Sequence, residues 1–147
     1  IHPNYKAIVP QWGDVLTNGC YDLLHVGHVF FLRRAAMFGQ RLIVAVNIDS
    51  SVRHLKGAGR PINKLEDRME MLAELRYASI VTSFTDNNVA AVIRHIRPHC
   101  WIKGGDYTLE TLDKGEVQAA NDVGAAIIIL PLTNGYSTTD ILERKKA

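Results

Sequence analysis

The sequence predicts an α/β fold: a single-domain, doubly wound parallel sheet of about five strands. Three observations lead there. The chain has 147 residues, near the commonest single-domain size, so one hydrophobic core is expected. The near-continuous apolar run Arg41–Asn47 (RLIVAVN), rich in β-branched residues, has the composition of a strand covered on both faces, and Ala125–Leu130 is a further apolar strand. Between such runs lie segments whose apolar residues recur at helical spacing, and strands separated by helices imply right-handed crossovers within a parallel sheet.

Residues 1–13 form a polar lead containing Pro3, Pro10 and Gly13, expected to be loosely ordered. A short strand, Asp14–Thr17, ends at Asn18-Gly19. Phe30, Phe31, Leu32, Ala35 and Ala36 mark a helix over Val26–Phe38, with Gly39 at its stop. After the second strand, Arg41–Asn47, the polar stretch Ile48–Asn63 reads as a long loop, and a structureless loop of that length is usually functional. Asn63 is the expected N-cap of a helix over Lys64–Tyr77, whose Leu65, Met69, Leu72 and Leu75 share one face. A strand at Ile80–Phe84, a helix at Asn87–Ile96 and a strand at His99–Ile102 follow. Glu110–Asp122 is helical in part, Ala125–Leu130 is the last strand, and Thr138–Lys145 is a closing helix.

Apolar residues make up 47% of the chain and charged residues 22%, the balance of an ordinary globular domain, which excludes a disordered, collagen-like or coiled-coil chain. The longest apolar run, Ala125–Leu130, falls far short of the roughly 20 residues a membrane helix needs, and no basic-plus-apolar leader argues for secretion. A net charge of +2, spread from Lys6 to Lys146, gives no footprint for nucleic acid. Two cysteines, Cys20 and Cys100, cannot form a disulfide framework, so a reducing, cytoplasmic location is expected.

In a parallel sheet, ligands sit beyond the carboxyl ends of the strands. The turns to inspect are therefore Asn18–His28, Ile48–Arg60, Lys103–Tyr107 and Leu132–Thr139. The first reads Asn18-Gly19-Cys20-Tyr21-Asp22-Leu23-Leu24-His25-Val26-Gly27-His28. It offers two imidazoles three residues apart at the mouth of a helix, whose free N–H groups and partial positive charge suit a phosphate. Gly27 lies between them and leaves the backbone open to a polyphosphate. Neither GxxxxGK[ST] nor a GxGxxG after the first strand is present, so phosphate recognition must rest on another device. Plainer readings stand beside this one. His25 could simply cap the helix while His28 packs on the sheet, and a zinc site from Cys20, His25 and His28 lacks a fourth ligand at motif spacing. Ser137-Thr138 suits an ordinary helix cap. Arg68 could pair with Asp67 or Glu70, and Lys56 could be solvated loop charge. His95, His99 and Cys100 read as structural, and Trp101 as core.

Gly19-Cys20-Tyr21-Asp22 followed by His25-Val26-Gly27-His28 resembles the HxGH signature of the nucleotidyltransferase superfamily, which includes cytidylyltransferases and small adenylyltransferases. Lys103-Gly104-Gly105-Asp106-Tyr107 and Gly135-Tyr136-Ser137-Thr138-Thr139 stand where that family has its later motifs. Arg60-Pro61-Ile62-Asn63, with Glu66-Asp67-Arg68 after it, is similar to a segment of one branch, the D-glycero-β-D-manno-heptose 1-phosphate adenylyltransferases of ADP-heptose synthesis. The resemblance covers Val15 to about Leu142. Cys20-Tyr21 and Asn134-Gly135-Tyr136 depart from the commoner spellings.

The resemblance implies a Rossmann-like nucleotidyltransferase domain and transfer of AMP from ATP to a sugar 1-phosphate, giving an ADP-sugar and pyrophosphate. It also implies Mg²⁺ carried with ATP by the phosphates rather than by protein side chains. His25, His28 and Lys56 take catalytic roles. Gly19, Cys20, Tyr21, Asp22, His25, Gly27, His28, Lys103, Gly105, Asp106, Ser137, Thr138 and Thr139 hold the nucleotide. Arg53, Lys56, Arg60 and Arg68 hold the substrate phosphate, with Lys56 in a loop that closes over it. The partners implied are a second copy, forming a homodimer, and a sugar kinase, fused or separate, with no nucleic acid and no membrane. A glycerol-3-phosphate cytidylyltransferase, an FMN adenylyltransferase and a non-catalytic nucleotide-binding module remain as alternatives.

Overall fold

The computed structural model describes residues 1–131 and 135–146; Leu132, Thr133 and Asn134 of the last expected turn lie outside the described residues. Five strands form the sheet: β1 (Asp14–Gly19), β2 (Arg41–Asn47), β3 (Ile80–Phe84), β4 (Cys100–Gly104) and β5 (Ala126–Leu130). All neighbours are parallel and the order is β3-β2-β1-β4-β5, so the winding reverses at β1, between β2 and β4. This is the doubly wound architecture expected from the alternating runs.

Helices cover both faces. On one side α1 (Val26–Ala36) and α3 (Leu65–Ala73) bury Phe31, Leu32, Ala35, Met69 and Leu72 against Val15, Val44, Val46 and Ile102. On the other, α4 (Ala90–Ile96) and α5 (Lys114–Val123) bury Val92, Ile93, Ile96, Ala119 and Ala120 against Leu16, Ile43, Ala45 and Trp101. Alternate strand residues thus feed two core layers, each fully buried Val, Leu, Ile, Phe or Met side chain contributing roughly 1.5–3 kcal/mol. A closing helix, α6 (Thr138–Lys146), follows β5.

Three expectations are corrected. The lead is tied down rather than loose. His2 N–H bonds the Val81 carbonyl at 2.8 Å along the β3 edge, Asn4 caps a 3-10 turn at Tyr5–Ala7, and Ile8 enters the core. Polar composition concealed this, because backbone pairing does not depend on side-chain type. The stretch Ile48–Asn63 is not all loop: α2 (Asp49–Lys56) occupies its first half, with only Ser51 and Val52 buried. One apolar anchor in eight residues leaves no periodicity to read. Asn63 does not cap α3; the residue before that helix is Lys64, and the Asn63 side chain instead donates to the Asp22 carbonyl at 2.7 Å.

Candidate active site

The turn between β1 and α1 is built by its own backbone and two imidazoles. His25 precedes α1 in extended conformation, and its Nδ1 accepts the Gly27 N–H at 3.1 Å. His28 Nδ1 accepts the His25 N–H at 3.1 Å, closing a reciprocal capping box. A neutral imidazole has one donor and one acceptor nitrogen, so with both Nδ1 atoms accepting, both Nε2 atoms carry the proton. The plain capping role and a phosphate-donor role are therefore compatible on the same rings. The rings lie 3.9 Å apart, centroid to centroid. Burial, then the nearby charges of His25 and Lys56, holds His28 at a pKa of about 4, and burial also lowers His25. Near neutral pH the pair is a double N–H donor without charge.

Gly27 has a reason beyond access for a ligand. A Cβ there would lie 2.6 Å from the Tyr136 carbonyl and 2.9 Å from the His25 ring. The segment leading into α6 passes directly over the start of α1, and Tyr136 stacks edge-on against Phe30, centroids 5.5 Å apart. Ser137 caps α6: its hydroxyl accepts the Asp140 N–H at 3.0 Å and bonds the Asp140 carboxylate at 2.7 Å. Its hydroxyl is thus spent on the cap, whereas Thr138 and the exposed Thr139 stand in the first turn of α6. Two helix N-termini face one corner.

The expected phosphate clamps Arg60 and Arg68 do other work. Arg60 Nε bonds the buried Asp22 carboxylate at 2.6 Å, and the Ile62 and Asn63 N–H groups bond the same carboxylate at 2.7 Å. Although burial opposes its charge, these donors keep Asp22 below the usual carboxylate range. Asp22 is therefore a staple that folds Arg60–Asn63 over the turn, and its oxygens are occupied rather than offered to a nucleotide. Arg68 is fully buried; its guanidinium donates to the carbonyls of Asn63, Cys20 and Asn47 and to Asp49 Oδ1. It pairs with Asp49, not with Asp67 or Glu70, and no face of it is open to a substrate phosphate. It ties the carboxyl ends of β1 and β2 to α2 and α3.

Tyr21 adopts a left-handed backbone (φ 52°) and is buried, with its hydroxyl pushed up by burial, so its ring is packing rather than a ligand. A Cβ at Gly19 would meet that ring at 3.0 Å. Cys20 marks an electrostatic focus. Burial raises its thiol, while the charges of Lys56, Arg68, Lys103 and Arg60 oppose the rise. Lys56 ends α2 rather than riding a loop, and its charge is felt at both Cys20 and His28; Arg53, also exposed on α2, is felt at neither. Lys103, at the end of β4, packs over the Tyr107 ring, 5.2 Å from its centroid. Gly105 takes a φ of 125°, and Asp106 beside it is exposed. The turns thus bring together His25, His28, Lys56, Lys103 and the start of α6.

Three polar residues at the same strand ends escaped sequence reasoning. Asn18 accepts from Trp101 Nε1 at 3.0 Å, the buried Asn47 faces the Cys20 thiol, and Asp49 opens α2 with its carboxylate held by Arg68. In the sequence Asn18 and Asn47 stand only as strand ends, and Asp49 falls within the expected loop. An open depression of about 430 Å³ beside His25 is lined by Leu24, Val29, Met71 and Leu75 together with Glu70 and Glu74. Its apolar walls and two acids disfavour phosphate, so it flanks the anion-binding corner without being part of it.

The doubly wound sheet thus carries paired imidazoles at the first helix N-terminus and cations at the neighbouring strand ends. The chain belongs to the cytidylyltransferase-like family, whose model matches residues 16–144. It is 44% identical over 130 residues to the "Bifunctional protein HldE" of Coxiella burnetii (strain RSA 493 / Nine Mile phase I), and 49% over 129 residues to that of Methylococcus capsulatus. Each match covers 88% of this chain and 27% of the relative, so the chain spans about a quarter of the length of these proteins. Among solved structures, a lipopolysaccharide core biosynthesis protein from Thermoplasma volcanium superposes with a TM-score of 0.67 at 24% identity, covering 84% of this chain and 98% of that one. Pantothenate synthetase from Thermus thermophilus superposes with a TM-score of 0.60 at 15% identity, over 97% of this chain and 67% of that one. These two likenesses concern the fold.

Proposed function

We propose that this domain transfers AMP from ATP to a sugar 1-phosphate, a heptose 1-phosphate, releasing pyrophosphate. The observation that carries the reading is the orientation of the two imidazoles: both Nδ1 atoms are committed to the backbone, which leaves two Nε2–H donors at a helix N-terminus. The identity to proteins named bifunctional HldE supports the choice of branch, together with Arg60-Pro61-Ile62-Asn63 and Lys103-Gly104-Gly105-Asp106-Tyr107.

In this reaction a phosphate oxygen of the acceptor attacks the α-phosphorus of ATP. The new P–O bond forms as the bond from the α-phosphorus to the bridging oxygen breaks, and the electron pair leaves with pyrophosphate. The attacking oxygen is already anionic, so no general base is required. Positioning and charge stabilisation are what the protein must supply. His25 and His28 donate to triphosphate oxygens, Lys56 closes the phosphate site from α2, Lys103 faces it from β4, and the first turn of α6 adds backbone donors at Thr138 and Thr139. The donor set suits magnesium riding on the nucleotide, since imidazole N–H, ammonium and amide groups all address phosphate oxygens. Among the described residues no group of three or more His, Cys, Asp or Glu side chains gathers as a cation cage. Magnesium held by those oxygens supplies charge neutralisation.

The reading carries with it a cytoplasmic homodimer and a sugar kinase, fused or separate, that supplies the 1-phosphate; the word bifunctional in the relatives' names fits a second activity on one chain. Among the described residues, no helix is long and apolar enough to cross a membrane. The test is a pyrophosphate-release screen of ATP and CTP against heptose 1-phosphate, glycerol 3-phosphate and FMN. Release with ATP and heptose 1-phosphate above all other pairs is expected. Preference for CTP with glycerol 3-phosphate, or for FMN with ATP, overturns the substrate assignment; ATP binding with no release from any acceptor overturns catalysis.

A further inference from the structure

Trp101 is fully buried, and its indole Nε1–H donates to Asn18 Oδ1 at 3.0 Å. An indole N–H can only donate, so it selects the oxygen of the amide and turns the Nδ2 group the other way. The direction follows from the register. Trp101 is level with Leu16, two residues before Asn18 along a parallel strand pair, so the indole reaches the amide from the amino-terminal side and Nδ2 is turned away from it. Thr17 is level with Ile102, which sets Asn18 beside Lys103, and strand alternation puts both on the face that carries Trp101. None of the described residues accepts from Asn18 Nδ2. A phenylalanine would fill the same core space with no polar atom to satisfy; what the indole adds is the fixed amide.

The result is a two-hydrogen donor on the strand beside Lys103, at the crevice between β1 and β4, where the winding reverses and ligands of such sheets bind. Donors without an acceptor, next to a cation, fit an anionic oxygen better than a hydroxyl. The imidazoles approach the same strand ends from the α1 side, so the crevice lies between two donor groups. We propose that Asn18 donates from Nδ2 to a phosphate oxygen of the reacting substrates, and that Trp101 is the positioning residue that orients it. This rests on the nucleotidyltransferase reading of the site but not on the identity of the acceptor.

The variants are Asn18→Asp, which keeps an oxygen for Trp101 but removes the donor, Asn18→Ala, which guards against misfolding of the first, and Trp101→Phe, which keeps the bulk and frees the amide. Magnesium-ATP affinity is measured by calorimetry on the full chain. The KM and kcat are measured with whichever acceptor the screen identifies, and thermal melting reports the fold. Both Asn18 variants are expected to lose 10- to 100-fold, and Trp101→Phe about 5-fold. The double variant Asn18→Ala/Trp101→Phe should be no worse than Asn18→Ala. A loss in ATP affinity assigns the contact to the nucleotide; a loss confined to the acceptor KM assigns it to the acceptor phosphate. ATP affinity, acceptor KM and kcat all within two-fold of the parent in Asn18→Ala, with only melting altered, overturn the proposal. If no acceptor turns over, the substrate assignment above fails on its own, and unchanged ATP affinity then overturns this one.

Discussion

His28 shows how one side chain carries fold and chemistry together. Its Nδ1 caps the helix through the His25 N–H, while its Nε2–H is the donor proposed for a triphosphate oxygen. Replacing it with alanine should lower kcat by 100-fold or more with much less change in the KM for ATP, because a donor aimed at developing charge acts mainly in the transition state. Steady-state kinetics checks this, and equal losses in kcat and affinity would mark a ground-state contact. Arg68 makes the opposite case. An arginine on a helix invites assignment as a phosphate clamp, yet four of its hydrogen bonds go to Cys20, Asn47, Asn63 and Asp49. Arg68→Met should therefore cost roughly 3–5 kcal/mol of stability by leaving carbonyls and Asp49 without their partner. Denaturant unfolding measures that loss; undiminished stability with a selective rise in acceptor KM would restore the clamp.

Among the elements, α2 matters most for the site. It replaces part of a supposed loop and sets Arg53 and Lys56 at fixed positions one turn apart. Only Lys56 projects its charge onto Cys20 and His28. Lys56→Ala should weaken magnesium-ATP binding about 10-fold and flatten its salt dependence, while Arg53→Ala stays within two-fold, as expected when one cation faces the phosphates and the other faces water. Calorimetry at two ionic strengths separates them, and equal effects would mean that the helix turns both cations to the ligand. The contact of α1 with the α6 lead is equally specific. With the Tyr136 carbonyl only 2.6 Å from where a Gly27 Cβ would stand, the two helix starts can adjoin only if residue 27 has no side chain.

For the molecule as a whole, the buried imidazole makes stability depend on pH. His28 ionises in the fold only near pH 4, against about 6.5 in an unfolded chain. Between those values the unfolded state binds the extra proton, so stability should fall as pH drops from about 6.5 towards 4. Asp22, held below its usual range, adds a further loss at lower pH, as falling pH passes through its native value and neutralises the partner of Arg60. Melting temperature across pH 4–7 tests the first part. The slope should shrink in His28→Ala, and bound nucleotide should move the His28 titration upward in an NMR experiment. A flat profile in the parent chain would mean that the ring is solvated.

Alternation of apolar runs sufficed to read the parallel α/β class, the span of β2 and β3, and the corner at His25–His28, because burial on two faces and a helix start leave marks within a few neighbouring residues. The spacing also placed two histidines and a glycine together before any contact was known. What it could not decide were relations across the chain. Arg68 sits 19 residues from Asp49 and 48 from Cys20, Arg60 is 38 from Asp22, and Trp101 is 83 from Asn18. Whether an arginine grips a substrate or a carbonyl, and which way an amide points, depends on which strand ends the sheet order brings side by side. That order is set by the joint packing of all the helices on both faces, and only the folded chain expresses it.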